Sequence, residues 1–352
     1  MRTRSIRVSI LALIVACFLC PPSIAESKIN DKQNVIAKIF YVTSRKWNGK
    51  SFTSDRGDAT KHSFGSCKVH FPTNDTRWDM RNYLESLEAI GWEVGQGSKS
   101  WETTDVWRNE NFEKFLEGLR PAVNQTGELI IYVHGYHNAF EDSTKDAAIL
   151  SSYLKMPVIA YSWPTPKTLS PTPRNYNIAQ NDVTWSQQPF TDFVGRIIKE
   201  FPQKTISIVC HSMGSRLVIG TLHDLFPSGG NVVLKEIAFA SADYDSATFV
   251  NRVGPALGAA ERTRLYISPK DKAIAFSQWL VGNQTRMGSP GDSINMITSL
   301  PNTEVVDFTT YGGGITGHSI AHWLVANMHK YGKPGGEWAL QRQALRLVKT
   351  TK

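Results

Sequence analysis

The sequence predicts an α/β fold: a doubly wound, mostly parallel sheet with helices on both faces. Three observations carry this expectation. From residue 128 onward, short apolar runs alternate with segments whose apolar positions recur at helical spacing. The runs are continuously apolar, as strands covered on both faces are, where half-exposed strands would alternate. The 352-residue chain is 41% hydrophobic and 20% charged, a composition that can bury a large core and does not match a disordered or fibrous chain.

In chain order, the first segment has the features of a signal peptide over residues 1–25. Arg2, Arg4 and Arg7 form a basic start, Val8 to Leu19 an apolar stretch, and Ser23-Ile24-Ala25 a small-residue cleavage site. The apolar stretch is shorter than the ~20 residues of a membrane span and runs into Pro21-Pro22. The protein is therefore expected to be exported, periplasmic or secreted. Ile14-Val15-Ala16-Cys17 also resembles a lipoprotein box, so anchoring through Cys17 is the alternative. Cleavage after Ala25 removes three arginines and lowers the formal charge from +8 to +5, and of the four cysteines it leaves Cys67 and Cys210. Two cysteines exclude a disulfide-dense scaffold. A mild positive charge without a basic run or basic-aromatic stripe argues against nucleic-acid binding and allows peripheral contact with an anionic cell envelope.

Residues 26–127 are expected to lead into the main domain, 128–332 to form it, and 333–352 to form a helical tail. In the first block, "VIAKIFYVTSR" and "GSCKVHFP" predict two strands flanking a long polar connection. Residues 76–90 and 109–119 predict helices, with Trp78, Tyr83, Leu84 and Leu87 on one face and Phe112, Phe115, Leu116 and Leu119 on another. In the core, strands "ELIIYVH", "PVIAYSW", "TISIVCH", "VVLKEIAFA", "TRLYIS" and "EVVDF" are followed by helices over 141–154, 182–200, 213–226, 246–258, 271–281 and 317–331. The Pro-rich stretch 164–176 reads as a loop at a strand end, and 164–187 and 276–300 are long enough to form a lid.

Functional groups in such sheets gather at the carboxyl ends of the strands. "TISIVCH" ends at Ser212, and Met213-Gly214-Ser215 opens the next helix, the strand-turn-helix context of an exposed nucleophile. Gly214 provides a small neighbour, while Cys210 stands where the usual pattern has glycine. A serine hydroxyl needs a base within reach and a carboxylate to orient that base. Of nine histidines, His318, His322 and His329 follow the last strand, and His318 lies in the Gly-rich "GGGITGHSIAHW", where an imidazole can project over the sheet. Asp271, after "TRLYIS", is the preferred acid, with Asp243 as the alternative and Asp245 beside it. Each aspartate could equally be the N-cap of the helix behind it. In "YVHGYHNAFEDS", Gly135 allows close backbone approach, and the amides of Met213 and Tyr136 are candidate oxyanion donors. His134 and His211 read as structural, Trp163 and Pro164 as walls of the site. Beyond the signal segment, where Cys17 and Cys20 fall at C-x-x-C spacing, no C-x-x-C or H-E-x-x-H spacing occurs, and no cofactor or metal is expected.

These blocks, with "IFYVTSR", "FGSCKVHFP", "YSWP", "SADYDSATF", "SPKDKAIAFSQWL", "RMG" and "TGHSI", occur in order from residue 39 to about 320. The ordered set resembles the bacterial esterase/lipase-like α/β-hydrolase family of unknown function. The resemblance implies the α/β-hydrolase fold and a Ser-Asp-His triad, which falls on Ser212, Asp271 and His318. It also accommodates Cys210, since the family tolerates a residue other than glycine before H-S-M-G. The expected activity is cleavage of a small-molecule or lipid carboxylic ester through an acyl-enzyme. A peptidase or amidase with the same triad, or a catalytically silent envelope-binding protein, are the alternatives.

Overall fold

A computed structural model describes residues 33–71, 93–96, 100–168, 172–202, 205–289, 291, 294–309, 316–318 and 346–347. The signal segment, the helix expected over 76–90, and nearly all of the last helix and tail lie outside these residues.

The chain begins with β1 (Gln33–Thr43), β2 (Arg45–Trp47), β3 (Phe52–Arg56), β4 (Ser63–His70), β5 (Glu93–Gln96) and β6 (Glu102–Asn109). Strands and helices then alternate as α1 (Phe112–Thr126), β7 (Leu129–Val133), α2 (Phe140–Leu154), β8 (Val158–Ser162), α3 (Pro173–Trp185), α4 (Gln187–Glu200) and β9 (Ile206–His211). They continue as α5 (Ser215–Leu225), β10 (Leu234–Ala240), α6 (Ser246–Val253), β11 (Ala260–Ile267), α7 (Lys272–Leu280), α8 (Ile294–Thr298), β12 (Thr303–Asp307) and β13 (Arg346–Leu347).

Eleven of these strands form one sheet in the order β13-β12-β11-β10-β9-β7-β8-β1-β4-β6, with β5 beside β1. The seven strands from β12 to β1 pair in parallel, and β4, β5, β6 and β13 add antiparallel edges. The continuous apolar runs are explained by burial on both faces. Leu129, Ile131 and Val133 of β7 enter one core, and Ile130 and Tyr132 enter the other. In β9, Ile206, Ile208 and Cys210 face the first core and Val209 the second. Helix α1 is capped at both ends: Asn111 accepts from the Lys114 amide, and Gly127 closes the last turn at φ 72°.

The structure departs from the sequence expectations in several places, among them the helix expected over 182–200, which is broken at Ser186 between α3 and α4. The polar connection after β1 contains its own hairpin, β2–β3. The Pro-rich stretch is not wholly a loop, because Thr172 caps α3 through the Asn175 amide and Pro173 takes the first helical position, where its missing N–H costs nothing. The helix expected over 246–258 ends at Val253 and gives way to a 3-10 turn over Pro255–Ala259. In the expected helical tail, Arg346–Leu347 instead extend the sheet beside β12. Among the described residues no helix is long and apolar enough to cross a membrane.

Candidate active site

Strand β9 runs through the middle of the sheet, and its last residue, His211, leads into a 3-10 turn over Ser212–Gly214. Ser212 holds φ +50°, a left-handed conformation that costs a non-glycine residue ~1–3 kcal/mol. The turn persists because its neighbours fix it: the Asp243 amide donates to the Ser212 carbonyl at 3.1 Å and the Ser215 hydroxyl donates to it at 2.7 Å. Close backbone approach explains the glycines. A Cβ on Gly214 would lie 2.3 Å from the His134 carbonyl oxygen, and a Cβ on Gly135 would lie 2.9 Å from Ser212 Cβ. Cys210 meets no such limit, since its side chain points into the core, where its thiol donates to the Ala238 carbonyl at 3.5 Å.

The expected acid and base are brought together. His318 Nδ1 lies 2.8 Å from Asp271 Oδ2 and 3.0 Å from Oδ1. The carboxylate is held independently, because Oδ1 also accepts from the Ala273 and Ile274 amides at 3.0 and 2.9 Å as the cap of α7. Capping and orienting are thus both done by Asp271. An acceptor at Nδ1 places the ring proton there and leaves Nε2 free to take another. The loop bearing His318 is tied down by the Lys272 amide on the Thr316 carbonyl at 2.9 Å, with Gly317 at φ +67°. His211 Nε2 donates to the His318 carbonyl at 3.2 Å, and the two imidazole rings lie 4.7 Å apart. His318 therefore sits beside the residue that precedes Ser212, with 19% of its side chain exposed and Asp271 fully covered.

The loop after β7 lies against the serine turn, where Gly135 approaches both Ser212 and His211. His134 is buried within it, its Nδ1–H donating to the Gly135 carbonyl at 2.7 Å and its Nε2 facing Arg45 Nη2 at 3.4 Å. Burial, followed by the Arg45 charge, holds this imidazole well below its usual pKa, so it is neutral. Trp163 does not wall the site. It is fully buried, stacks on the His134 ring at 5.2 Å, and donates from its indole to the His134 carbonyl at 2.7 Å. Arg45, unremarked in the sequence, binds the Asn138 carbonyl at 2.7 Å and the Ser162 hydroxyl at 2.9 Å. Desolvation lowers its pKa to about 10, leaving it charged at neutral pH. Its one sequence signal is a charge immediately after an apolar strand.

Among the described residues, no histidine is bonded to the Asp243 carboxylate. Tyr176 and Ser277 donate to its carboxylate, and Arg216 and Arg286 face it. Asp245 caps α6 by accepting from the Thr248 amide. Tyr176, Arg216 and Arg286 come from three separate segments; Arg286 opens the "RMG" block, but nothing local in the sequence pointed to their meeting at Asp243. Among the described residues, no group of three or more His, Cys, Asp or Glu side chains converges to hold a metal ion.

A family model described as "Alpha/beta hydrolase of unknown function (DUF900)" matches residues 109–319. No curated protein matches the chain. Among solved structures, esterase PE8 is 12% identical with a TM-score of 0.36, over 57% of this chain and 90% of that one. MenH from S. aureus is 12% identical with a TM-score of 0.32, over 55% and 88%. An esterase/lipase from an uncultured bacterium is 13% identical with a TM-score of 0.27, over 45% and 62%.

Proposed function

The chain belongs to the DUF900 family of α/β hydrolases, and from that membership we propose that it is an exported serine hydrolase that cleaves carboxylic esters. The observation that supports this most is the Asp271–His318 pair, bonded at 2.8 Å and lying against His211, whose next residue is a serine held at φ +50° at the end of a central parallel strand. Ser212 Oγ attacks the acyl carbonyl while His318 Nε2 takes its proton. Asp271 stabilises the imidazolium that forms and keeps the proton on Nδ1. The amides of Met213 and Tyr136 receive the developing oxyanion, and the turn that opens α5 adds the positive end of its dipole. His318 returns the proton to the leaving alcohol, and water then hydrolyses the acyl-enzyme by the same steps in reverse.

The substrate is a small-molecule or lipid ester, and no nucleic acid is involved. Basic charge and the N-terminal segment support export with peripheral envelope contact. An acyl-chain series of nitrophenyl esters run beside peptide anilides tests the bond specificity. Turnover of esters with anilides inert is the expected result, and the reverse would make the protein an amidase. Fractionation of cells producing the full chain should recover it outside the cytoplasm about 25 residues shorter than its 352-residue sequence.

A further inference from the structure

Asp243 stands between the two sides of the oxyanion hole just described. On the serine side, its amide donates to the Ser212 carbonyl at 3.1 Å, fixing the peptide that leads to the Met213 amide. On the other side, Oδ2 accepts from the Tyr176 hydroxyl at 2.6 Å. The Tyr176 ring in turn packs edge-on against Tyr136 at 5.9 Å and 86°. One residue therefore reaches both segments that carry the oxyanion donors.

The carboxylate is built into this place. It is 3% exposed, and Oδ1 accepts from the Ser277 hydroxyl at 2.5 Å while facing Arg286 Nε at 3.3 Å. Arg216 Nη2 lies 3.7 Å from Oδ2, and Arg216 Nε donates to the Asp243 carbonyl at 3.1 Å. An ionised carboxylate has acceptor sites enough for this set of donors, whereas an asparagine would turn an NH2 toward a guanidinium. The Arg286 segment is itself pinned to the β10 end by the Met287 amide on the Tyr244 carbonyl at 3.0 Å and the Gly288 amide on the Ala242 carbonyl at 2.9 Å. Asp243 thus joins α3, α5, α7 and the 286–288 segment at the serine turn.

We propose that Asp243 is a positioning residue that sets the spacing of the oxyanion hole, holding the Ser212–Met213 side through its amide and the Tyr136 side through Tyr176. It neither touches substrate nor orients the base, and its role rests on the hydrolase reading above. The expected signature is a loss of tetrahedral-state stabilisation without a change in the titration of the base.

The test measures kcat, KM and their pH dependence on a nitrophenyl ester, together with inhibition by an aryl boronic acid, whose tetrahedral serine adduct places an oxygen in the hole. Folding is monitored by thermal melting. Asp243→Asn is expected to lower kcat/KM by roughly 10–100-fold, with KM within about 2-fold, since misplacement of donors acts on the transition state. Boronate affinity should fall by the same factor, and the pH midpoint should stay that of the wild type. Tyr176→Phe, which keeps the ring and loses only the hydroxyl, should move kcat and boronate affinity together in the same direction by a smaller factor. It carries the test alone if Asp243→Asn does not fold. A fall in kcat with boronate affinity unchanged would overturn the proposal, as would a pH midpoint shifted in the manner of Asp271→Asn. Wild-type activity unaffected by both variants would overturn it while leaving the hydrolase reading intact. An inert wild type would remove both.

Discussion

Ser212, His318 and Asp271 are each held by backbone contacts of their own segments. The serine turn is held by the Asp243 amide from the segment after β10, the carboxylate by two amides of α7, and the histidine loop by the Lys272 amide on the Thr316 carbonyl. Asp271→Asn can keep its cap on α7, since an amide oxygen still accepts, but it weakens control of the His318 tautomer. It should lower kcat by ~10^4 with little loss of melting temperature, and steady-state kinetics beside a thermal melt checks both. Gly135→Ala would set a methyl 2.9 Å from Ser212 Cβ and 3.1 Å from His211 Nδ1. Loss of at least ~100-fold in turnover with the fold retained is expected, because displacement of the reacting group by even ~1 Å has that effect. At this scale the residues with motif neighbours, Ser212, Gly135 and Gly214, could be read from sequence. Asp271 and His318 followed from the order of strand ends. The roles of Arg45, Tyr176, Arg216 and Arg286 could not be read, although Arg45 and Arg286 lie within quoted blocks, because each acts across the fold on a partner that sequence distance hides.

Among the elements, the central strands were legible and the edges were not. β7, β8, β9, β10 and β11 are buried on both faces and carry the long apolar runs that the hydrophobic pattern detects. β6, "ETTDVWRN", lies at the sheet edge with half its residues exposed, and it has no apolar alternation. The start of α3 had a readable cap in Thr172-Pro173, which the surrounding prolines masked. The apolar runs also conceal charge: Arg264 of β11 is fully buried, paired with Glu236 of β10 at 2.7 Å and Glu304 of β12 at 3.1 Å. Glu236→Gln leaves the Arg264 guanidinium without its closest counter-charge. A loss of ~3–5 kcal/mol in urea unfolding is expected, as for other broken buried pairs. A change below ~1 kcal/mol would show that Glu304 alone suffices.

For the whole molecule, two histidines, His134 buried and His62 partly buried, tie stability to pH. His62 lies against Tyr161 and Phe193, and desolvation lowers its pKa to about 4, while His134 is held well below its usual range mainly by burial. Both folded-state values lie below the ordinary 6.5, so between pH 5 and pH 7 the unfolded chain binds more protons. Unfolding free energy should therefore rise with pH across that window. Urea titrations at pH 5, 6 and 7 check the sign, and His62→Gln should flatten the slope without abolishing it, since His134 remains. The same burial supports a rigid sheet whose strand ends hold the proposed nucleophile, acid and base in place. Every step of the proposed reaction requires Ser212 to be an activated nucleophile. Treating the folded protein with a fluorophosphonate probe and mapping the modified peptide by mass spectrometry tests it most directly. Covalent labelling on Ser212, absent in Ser212→Ala and slowed in His318→Ala, is the predicted result. A folded wild type that takes no label, or a Ser212→Ala variant that labels equally, would contradict it.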